Sequence, residues 1–307
     1  MESKNNIFIL GVGRSGTSLL QSMLHAHPEI EFLPETQFLR TYIFKNRKET
    51  LQDETQKRNF INVLNHDEKF QRARVAPEQI VANAKTYTDA YFNLLQSVRN
   101  QHTRFSGDKD PRFLDFLPDL YRVVPDAKVV HIIRDPREVV LSRTKADWSS
   151  HWPFFMHPVM YNAQLERGRK LGMKLFKENY LEIYYEDLVA APREVLTGIS
   201  DFLQIDFSEK MLAFGESAKK LVDEKEMQWK KETLGPLLTD NTQKWKCDLT
   251  NEQIYIIQRI CSDAFLKHPY KRQKVSVSVP IKIKTSLLTI FASIFKILYP
   301  LRLKFLK

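Results

Sequence analysis

A glycine-rich stretch near the start of the chain has the residue types that bind a phosphate-like anion. It runs from Gly11 to Ser18 and reads GVGRSGTS. Its glycines let the backbone turn N–H groups inward toward an anion, and its arginine adds a guanidinium with a fixed fork of donors. We therefore predict an anion-binding loop, whose contacts are Gly13, Arg14, Ser15, Gly16, Thr17 and Ser18.

The segments on either side of this loop should aim it at a ligand. Ile7 to Leu10 is an apolar run too short for a helix, which predicts a buried parallel strand. After the loop, apolar residues recur at helical spacing, beginning with Leu19, Leu20 and Met23. The loop thus joins a strand to the N-terminus of a helix, where unpaired N–H groups and the helix dipole favour an anion.

The loop departs from a nucleotide-triphosphatase loop at one position. Thr17 stands where such loops carry a lysine that reaches the terminal phosphates. This replacement favours a ligand with less charge than a triphosphate, and it predicts chemistry without a metal. A P-loop kinase acting on a small hydroxyl substrate is the alternative, although it should need both magnesium and that lysine.

Arg134 and Ser142 form a second candidate site for an anion. Val129 to Ile133 predicts another buried strand, and Pro136 suits the first turn of the helix that follows. Arg134 then lies at the carboxyl end of a strand, where open α/β sheets bind ligands. Ser142, two turns into the helix, can point back toward it. The pair offers charge, bidentate geometry and a directed hydroxyl.

These motifs together resemble those of sulfotransferases that use 3′-phosphoadenosine 5′-phosphosulfate (PAPS). The strand, the loop containing RSGTS, the pair His27-Pro28 and the sequence PET at 34–36 are similar to the 5′-phosphosulfate loop of the tyrosylprotein and carbohydrate branches. The resemblance covers about residues 7 to 270. It implies an α/β fold with a P-loop-type parallel β-sheet flanked by helices, PAPS as the sulfuryl donor, and no metal.

The resemblance also implies catalytic roles for three residues. Glu35 would be the general base that removes the proton of the acceptor hydroxyl. Lys109, in the predicted turn GDKDP at 107–111, would lie beside the transferring sulfuryl group, where a lysine can neutralise charge on the bridging oxygen. Arg14 would stabilise charge on the sulfuryl oxygens together with Lys109.

Four further residues would hold the nucleotide by the same resemblance. Arg134 and Ser142 match the pair that grips the 3′-phosphate. Tyr185, in a predicted third strand over 181–188, would lie near the nucleotide, and Lys244 would close the site.

Two assignments stay open at this stage. A histidine is the rival general base, as in the cytosolic small-molecule sulfotransferases, and the candidates are His27, His151 and His157. A hydroxyl that assists at the bridging oxygen has two candidates, Thr233 and Thr239. Aromatic residues around Trp148 are expected mainly in the core, with one or two lining the acceptor site.

The net charge of +10 comes from one end of the chain. After Asp263 the sequence has ten Lys and Arg residues and no acidic residue, so the remaining 37 basic residues equal the 37 acidic ones. The body is formally neutral, which argues against a nucleic-acid-binding face. We predict a sulfotransferase domain over 1–272, with a helical cap at about 40–105, and a basic tail over 273–307.

Within the tail, 285–298 predicts an amphipathic helix that Pro300 ends. The segment is short for a bilayer span, and its cationic flanks favour a helix lying in a membrane surface. Packing against a second subunit, as in a homodimer, is the alternative. Residues 273–280 alternate valine and serine and predict an edge strand or an extended linker.

The sequence thus predicts transfer of a sulfuryl group to a hydroxyl of a protein tyrosine, a carbohydrate, or a lipid or small metabolite. The N-terminus leads directly into the first strand, so we expect no signal peptide and a cytoplasmic enzyme, peripheral at the membrane through 285–307. A catalytically inactive membrane adaptor that binds the nucleotide remains a third hypothesis.

Overall fold

Five parallel strands form the centre of the molecule. The computed structural model describes residues 5–44, 50–221, 242–267 and 270–305. The strands pair in the order β2-β3-β1-β4-β5, and every pairing is parallel. Their bounds are β1 Asn6–Leu10, β2 Ile30–Phe32, β3 Phe105–Lys109, β4 Lys128–Ile133 and β5 Tyr180–Tyr184.

Helices cover both faces of this sheet, which confirms the predicted α/β fold. Those before β4 are α1 Thr17–His25, α2 Glu54–Asn65, α3 Glu68–Gln71, α4 Pro77–Val81, α5 Tyr87–Ser97 and α6 Leu117–Val123. Those after it are α7 Pro136–Thr144, α8 Met156–Phe176, α9 Tyr185–Ala190, α10 Pro192–Leu203, α11 Gly215–Leu221, α12 Trp245–Asp248, α13 Asn251–Ile260, α14 Ala264–Lys267 and α15 Val279–Phe305. Shorter turns of helix are Leu39–Ile43, Pro111–Asp115, Lys177–Asn179 and Glu209–Ala213.

The strands are apolar on both faces because each face packs against helices. Phe8 and Leu10 of β1 belong to one core, shared with the helices of 54–97 and with α7 and α8. Ile7 and Ile9, which alternate with them, belong to a second core with α1 and α10. Successive side chains of a strand point to opposite faces, so the continuous apolar run at 7–10 fills both cores.

The order of the strands places three strand ends beside one another. From β1 the chain moves out to β2, returns to β3 next to β1, and then crosses to β4 on the other side of β1. Such a reversal leaves a crevice at the carboxyl ends of the strands, where ligands bind in open α/β sheets. The loop after β1 therefore has the end of β3 on one side and the end of β4 on the other.

The predicted turn at 107–111 is wrong, because Gly107 and Lys109 belong to the strand β3. The glycine serves packing, not a turn. A Cβ at Gly107 would lie 2.4 Å from the Phe32 ring and 2.8 Å from the carbonyl oxygen of Ile7, so only glycine lets the neighbouring strands approach. The predicted third strand also ends early, since Tyr185 begins α9.

The C-terminal helix is longer than predicted. It runs over Val279–Phe305 and continues through Pro300. Proline inside a helix removes one backbone hydrogen bond, and here the turns around it are fixed by buried contacts of Tyr299 and Leu303. The residues before it, 271–278, form neither strand nor helix, as the linker alternative predicted.

This helix packs against α8 and α13 and is not detached from the body. The predicted domain boundary at 272 stays a prediction. Among the residues that the structure describes, no helix is both long and apolar enough to span a bilayer.

Candidate functional site

The glycine loop turns sharply between β1 and α1. Its two left-handed residues are Arg14, with φ of 81°, and Gly16, with φ of 95°, and the N–H of Ser15 donates to the carbonyl of Val12 at 3.0 Å. Gly16 is the residue just before α1, and no side chain in the described ranges caps this helix. The first-turn N–H groups therefore face the crevice as an anion site would require.

Four side chains gather beside this loop, and we call Arg14, Arg134, Ser142 and Tyr185 the clamp. The Nε of Arg14 donates to the Oγ of Ser142 at 2.8 Å. The guanidinium of Arg134 donates to the carbonyl of Arg14 at 3.3 Å and lies 4.0 Å from the centre of the Tyr185 ring. The structure therefore brings three predicted nucleotide contacts to the loop itself, on the β4 side.

Tyr185 also determines how closely the loop can approach. A Cβ at Gly16 would lie 2.4 Å from the Tyr185 ring, and the positive φ of this residue favours glycine as well. The loop, the tyrosine and Arg134 form one packed unit in consequence, which fixes the direction of the guanidinium.

Arg134 is mostly buried, and neighbouring side chains contact both its backbone and its guanidinium. The hydroxyl of Tyr161 donates to its backbone carbonyl at 2.7 Å, and the Glu138 carboxylate lies 3.7 Å from its guanidinium. Burial raises the pKa of Glu138, while the nearby Arg134 lowers it. Arg134 thus has a fixed backbone and a carboxylate beside its guanidinium.

Trp245, the residue after Lys244, packs against residues at the start of α7. The guanidinium of Arg137 lies 3.7 Å from the centre of the Trp245 ring and forms a 2.6 Å ion pair with Asp135. The N–H of Trp245 donates to Glu138 at 3.3 Å. Arg137 was not predicted as a residue that positions Trp245. Its signal in the sequence is a second arginine directly after Arg134-Asp135-Pro136.

A cavity of about 480 Å³ opens at the clamp, a volume typical of small-ligand sites. Its lining includes four predicted residues: Arg14, Arg134, Ser142 and Lys244. Trp148, expected mainly in the core, also lines it and is 53% exposed. The cavity wall further carries Lys145 and Asp248, which pair at 2.7 Å. A flat ring and several cations therefore share one opening.

Glu35 and Lys109 meet on the other side of β1. Lys109 ends β3 and is only 1% exposed, and its Nζ forms an ion pair with the Glu35 carboxylate. Glu35 follows β2, whose Phe32 pairs with Gly107 of β3. The two residues, predicted separately, are thus direct partners, and we call them the Glu35–Lys109 pair.

Two more carboxylates, those of Asp108 and Asp110, belong to the residues on either side of Lys109. The Tyr91 hydroxyl donates to Asp108 at 3.1 Å, and the N–H of Lys109 donates to the same carboxylate at 2.7 Å. Burial, and next the charge of Asp110, raise the pKa of Asp108 to about 7. Asp110 itself pairs with Arg40 at 3.0 Å. The end of β3 is therefore fixed by a dense polar network.

Two of the three rival histidines have structural contacts instead. The ring nitrogens of His27 contact the carbonyl of Asp206 at 2.8 Å and the N–H of Glu29 at 3.1 Å. His157 is buried and stacks on Trp152, and burial, with a contribution from the charge of Arg143, lowers its pKa to about 4. His151 lies on the surface.

The structure places the Arg14 side chain on Ser142, among the contacts predicted for the 3′-phosphate, so its role at the sulfuryl oxygens stays a prediction. Glu35 as general base and the absence of a metal also stay predictions. Thr233 and Thr239 lie outside the described residues.

Comparison with solved structures confirms the fold. The chain is similar to the sulfotransferase domain of the Synechococcus PCC 7002 olefin synthase, with a TM-score of 0.62, 24% identity, and coverage of 95% of this chain and 96% of that one. It is also similar to the sulfotransferase domain of the curacin biosynthetic pathway, with a TM-score of 0.59, 19% identity, and coverage of 94% and 96%.

Sequence relatives agree with that fold. A putative protein-tyrosine sulfotransferase of Caenorhabditis briggsae is 26% identical over 221 residues, which are 67% of this chain and 68% of that protein. The protein-tyrosine sulfotransferase of Drosophila melanogaster is 28% identical over 228 residues, which are 70% of this chain and only 41% of that protein. The profile of the sulfotransferase family matches residues 6–209, a span that holds both the clamp and the Glu35–Lys109 pair. The chain therefore belongs to the sulfotransferase family.

Proposed function

We propose that this protein transfers a sulfuryl group from PAPS to the hydroxyl of an acceptor. The observation that carries the proposal is the arrangement around the end of β1. A cationic clamp with an open cavity lies on its β4 side, and an acid–base pair lies on its β3 side. An anionic donor bound across the loop would therefore present its reacting end to Glu35 and Lys109.

The clamp and the cavity suit an adenosine bisphosphate. Arg134 and Ser142 would hold the 3′-phosphate with charge-assisted hydrogen bonds, and the loop N–H groups would hold the phosphate at the 5′ end. Trp148 offers a ring face at the same opening, and the cavity volume of about 480 Å³ accommodates a nucleotide. The described residues thus fit the donor.

Bound PAPS would supply an activated sulfuryl group for in-line displacement. Glu35 would accept the proton of the acceptor hydroxyl while the oxygen of that hydroxyl forms the new bond to sulfur. The Lys109 ammonium would stabilise charge on the bridging oxygen as the old bond breaks. In the structure these two groups contact each other, so they would exchange that contact for the acceptor and the leaving group.

The alternative of a magnesium-dependent kinase is tested by withholding the metal. The full chain is incubated with sulfur-35-labelled PAPS and an acceptor in the presence of EDTA, and in parallel with phosphorus-32-labelled ATP and magnesium. We expect labelled product only from PAPS. Product only from ATP and magnesium would overturn the proposal, and binding of adenosine 3′,5′-bisphosphate without any transfer would favour an inactive adaptor.

Replacement of Glu35 tests its role as the base. Glu35→Gln should lower kcat by about 10²–10⁴-fold, because the amide cannot accept the proton, while calorimetry shows little change in affinity for adenosine 3′,5′-bisphosphate. The matched control is Glu216→Gln, an exposed glutamate of α11, which should leave both quantities unchanged. Unchanged turnover in Glu35→Gln would remove this residue from the role.

The acceptor class is the finer part of the proposal. The relatives mentioned above carry the names protein-tyrosine sulfotransferase and putative protein-tyrosine sulfotransferase, so a tyrosine-containing peptide is the first acceptor to test. Carbohydrates, and lipids or small metabolites, are the other two classes. Mass spectrometry of each acceptor after incubation with PAPS should show the added sulfuryl mass for one class and not for the others.

A further inference from the structure

The two long faces of α15 differ sharply. One face is buried against the body, through Thr285, Ala292, Tyr299 and Leu303. Its contacts include a 2.6 Å hydrogen bond from the Tyr299 hydroxyl to the buried carboxylate of Asp115. The helix is therefore fixed to the body by side chains that recur at helical spacing.

The opposite face is apolar and exposed. Nine of the thirteen large hydrophobic side chains that are exposed in the described part of the chain belong to α15. Eight of them recur every three or four residues and are 42–75% exposed: Ile283, Leu287, Ile290, Phe291, Ile294, Ile297, Leu298 and Leu301. We call these eight residues the outer stripe. A contiguous apolar stripe of this kind marks an interaction site.

The hydroxyl groups beside the outer stripe already have partners within the helix. The Ser286 hydroxyl donates to the carbonyl of Lys282 at 3.0 Å, and the Ser293 hydroxyl donates to that of Thr289 at 3.0 Å. Their transfer from water to an apolar phase therefore costs less than that of free hydroxyls.

Positive charge flanks the outer stripe at its two ends. Lys282 and Lys284 are exposed in the first turns, Lys284 within 3.4 Å of the Glu252 carboxylate of α13, and Arg302 and Lys304 are exposed in the last turns. Lys296, in the middle, turns to the body and pairs with Glu166 at 2.7 Å. Cations therefore lie at the ends, with an apolar centre between them.

This charge pattern decides which partner fits. The sequence has no acidic residue after Asp263, so two copies of α15 packed face to face would bring lysines near lysines without a carboxylate from either helix. An anionic lipid surface offers what the helix lacks: acyl chains for the stripe and negative headgroups for the flanking cations.

We propose that the outer stripe of α15 docks on an anionic lipid surface, with the helix lying in the plane of the interface and its buried face still on the body. The protein would then be a peripheral membrane protein with one fixed orientation. This proposal is independent of the proposed activity, because vesicle binding reports it without any turnover.

Flotation with vesicles of stated composition tests the proposal. The full chain should float with vesicles of phosphatidylcholine and phosphatidylserine, and bind about tenfold or more weakly to phosphatidylcholine alone, since each flanking cation contributes separately to attraction by acidic lipids. A variant with Leu287→Gln, Ile294→Gln and Leu298→Gln should lose about 100-fold or more of the affinity, since three apolar groups leave the interface.

Matched controls separate docking from general stickiness. The control variant carries Val63→Gln, Met173→Gln and Leu266→Gln, three side chains exposed elsewhere on the molecule, and it should bind vesicles like the unaltered chain. Thermal unfolding of both variants should match that of the unaltered chain. Equal vesicle binding by the stripe variant would overturn the proposal, as would a dimer in sedimentation velocity that only the stripe variant abolishes.

Discussion

The clamp and the Glu35–Lys109 pair flank the same strand, yet they are built differently. The clamp presents two arginines and a hydroxyl to an open cavity, while its buried tyrosine ring packs against the Arg134 guanidinium. In the Glu35–Lys109 pair, the ammonium and the carboxylate form an ion pair with each other. The clamp, on the β4 side of β1, can thus bind an anion at its cavity. On the β3 side, Glu35 and Lys109 must separate from each other before they can contact a substrate. Binding and chemistry should therefore respond separately to mutation.

Loss of the Lys109 ammonium should affect turnover far more than nucleotide binding. Lys109→Met keeps the length of the side chain but removes the charge, so kcat should fall by about 10³-fold, as for loss of a group that stabilises developing charge. Affinity for adenosine 3′,5′-bisphosphate, measured by calorimetry, should change only a few-fold. An equally large loss of affinity would show that the two sides of β1 are not separable.

Removal of the Arg134 side chain should affect binding first. Arg134→Ala should weaken binding of adenosine 3′,5′-bisphosphate by about 10–100-fold, because a hydrogen bond to a charged group contributes about 1.5–3 kcal/mol. The matched control is Arg193→Ala, an exposed arginine paired with Glu209, which should bind the nucleotide normally. Equal calorimetric affinity for the Arg134 variant would contradict its place in the clamp.

A smaller effect is expected at Ser142. Ser142→Ala removes one hydrogen-bond donor and no charge, so nucleotide affinity should fall by about 2–10-fold, less than for Arg134→Ala. Ser97→Ala is the control, since that hydroxyl bonds within α5, away from the clamp. If the Ser142 variant lost as much affinity as Arg134→Ala, the hydroxyl would act mainly by positioning Arg14.

The network under Lys109 should show itself in the pH dependence of stability. Burial raises the pKa of Asp108 from 3.8 to about 7, so between these values the folded state holds a proton that the unfolded state has released. The free energy of unfolding should therefore fall as pH rises through this window, by at most about 4 kcal/mol. Asp108→Asn should remove that slope in urea unfolding; an unchanged slope would refute the assignment.

The clamp was predictable from sequence because its chemistry is local. A glycine loop between a strand and a helix determines its own geometry, and Arg134 and Ser142 sit on the next strand–helix unit. The close contact between Gly16 of the loop and the Tyr185 ring was not predictable, because it depends on how the chain between these two residues packs.

The structure on the β3 side of β1 was harder to predict from the sequence. Gly107, Asp108 and Pro111 are residues typical of turns, and the tertiary packing of Gly107 against Phe32 overrides that preference. The partnership of Glu35 with Lys109 depends on the pairing of β2 with β3, which a three-residue strand does not reveal. The stack of Arg137 on Trp245 likewise joins distant parts of the chain.

The hydrogen bond between Tyr299 and Asp115 has a practical consequence for anyone who shortens this chain. Deletion of α15 would remove the outer stripe, but it would also expose the sides of α8 and α13 that pack against this helix. The Asp115 carboxylate would lose its hydrogen bond from the Tyr299 hydroxyl and become exposed to water. Asp115 closes the short helical turn that begins two residues after Lys109. Truncation would then disturb the end of β3 for reasons unrelated to lipid binding.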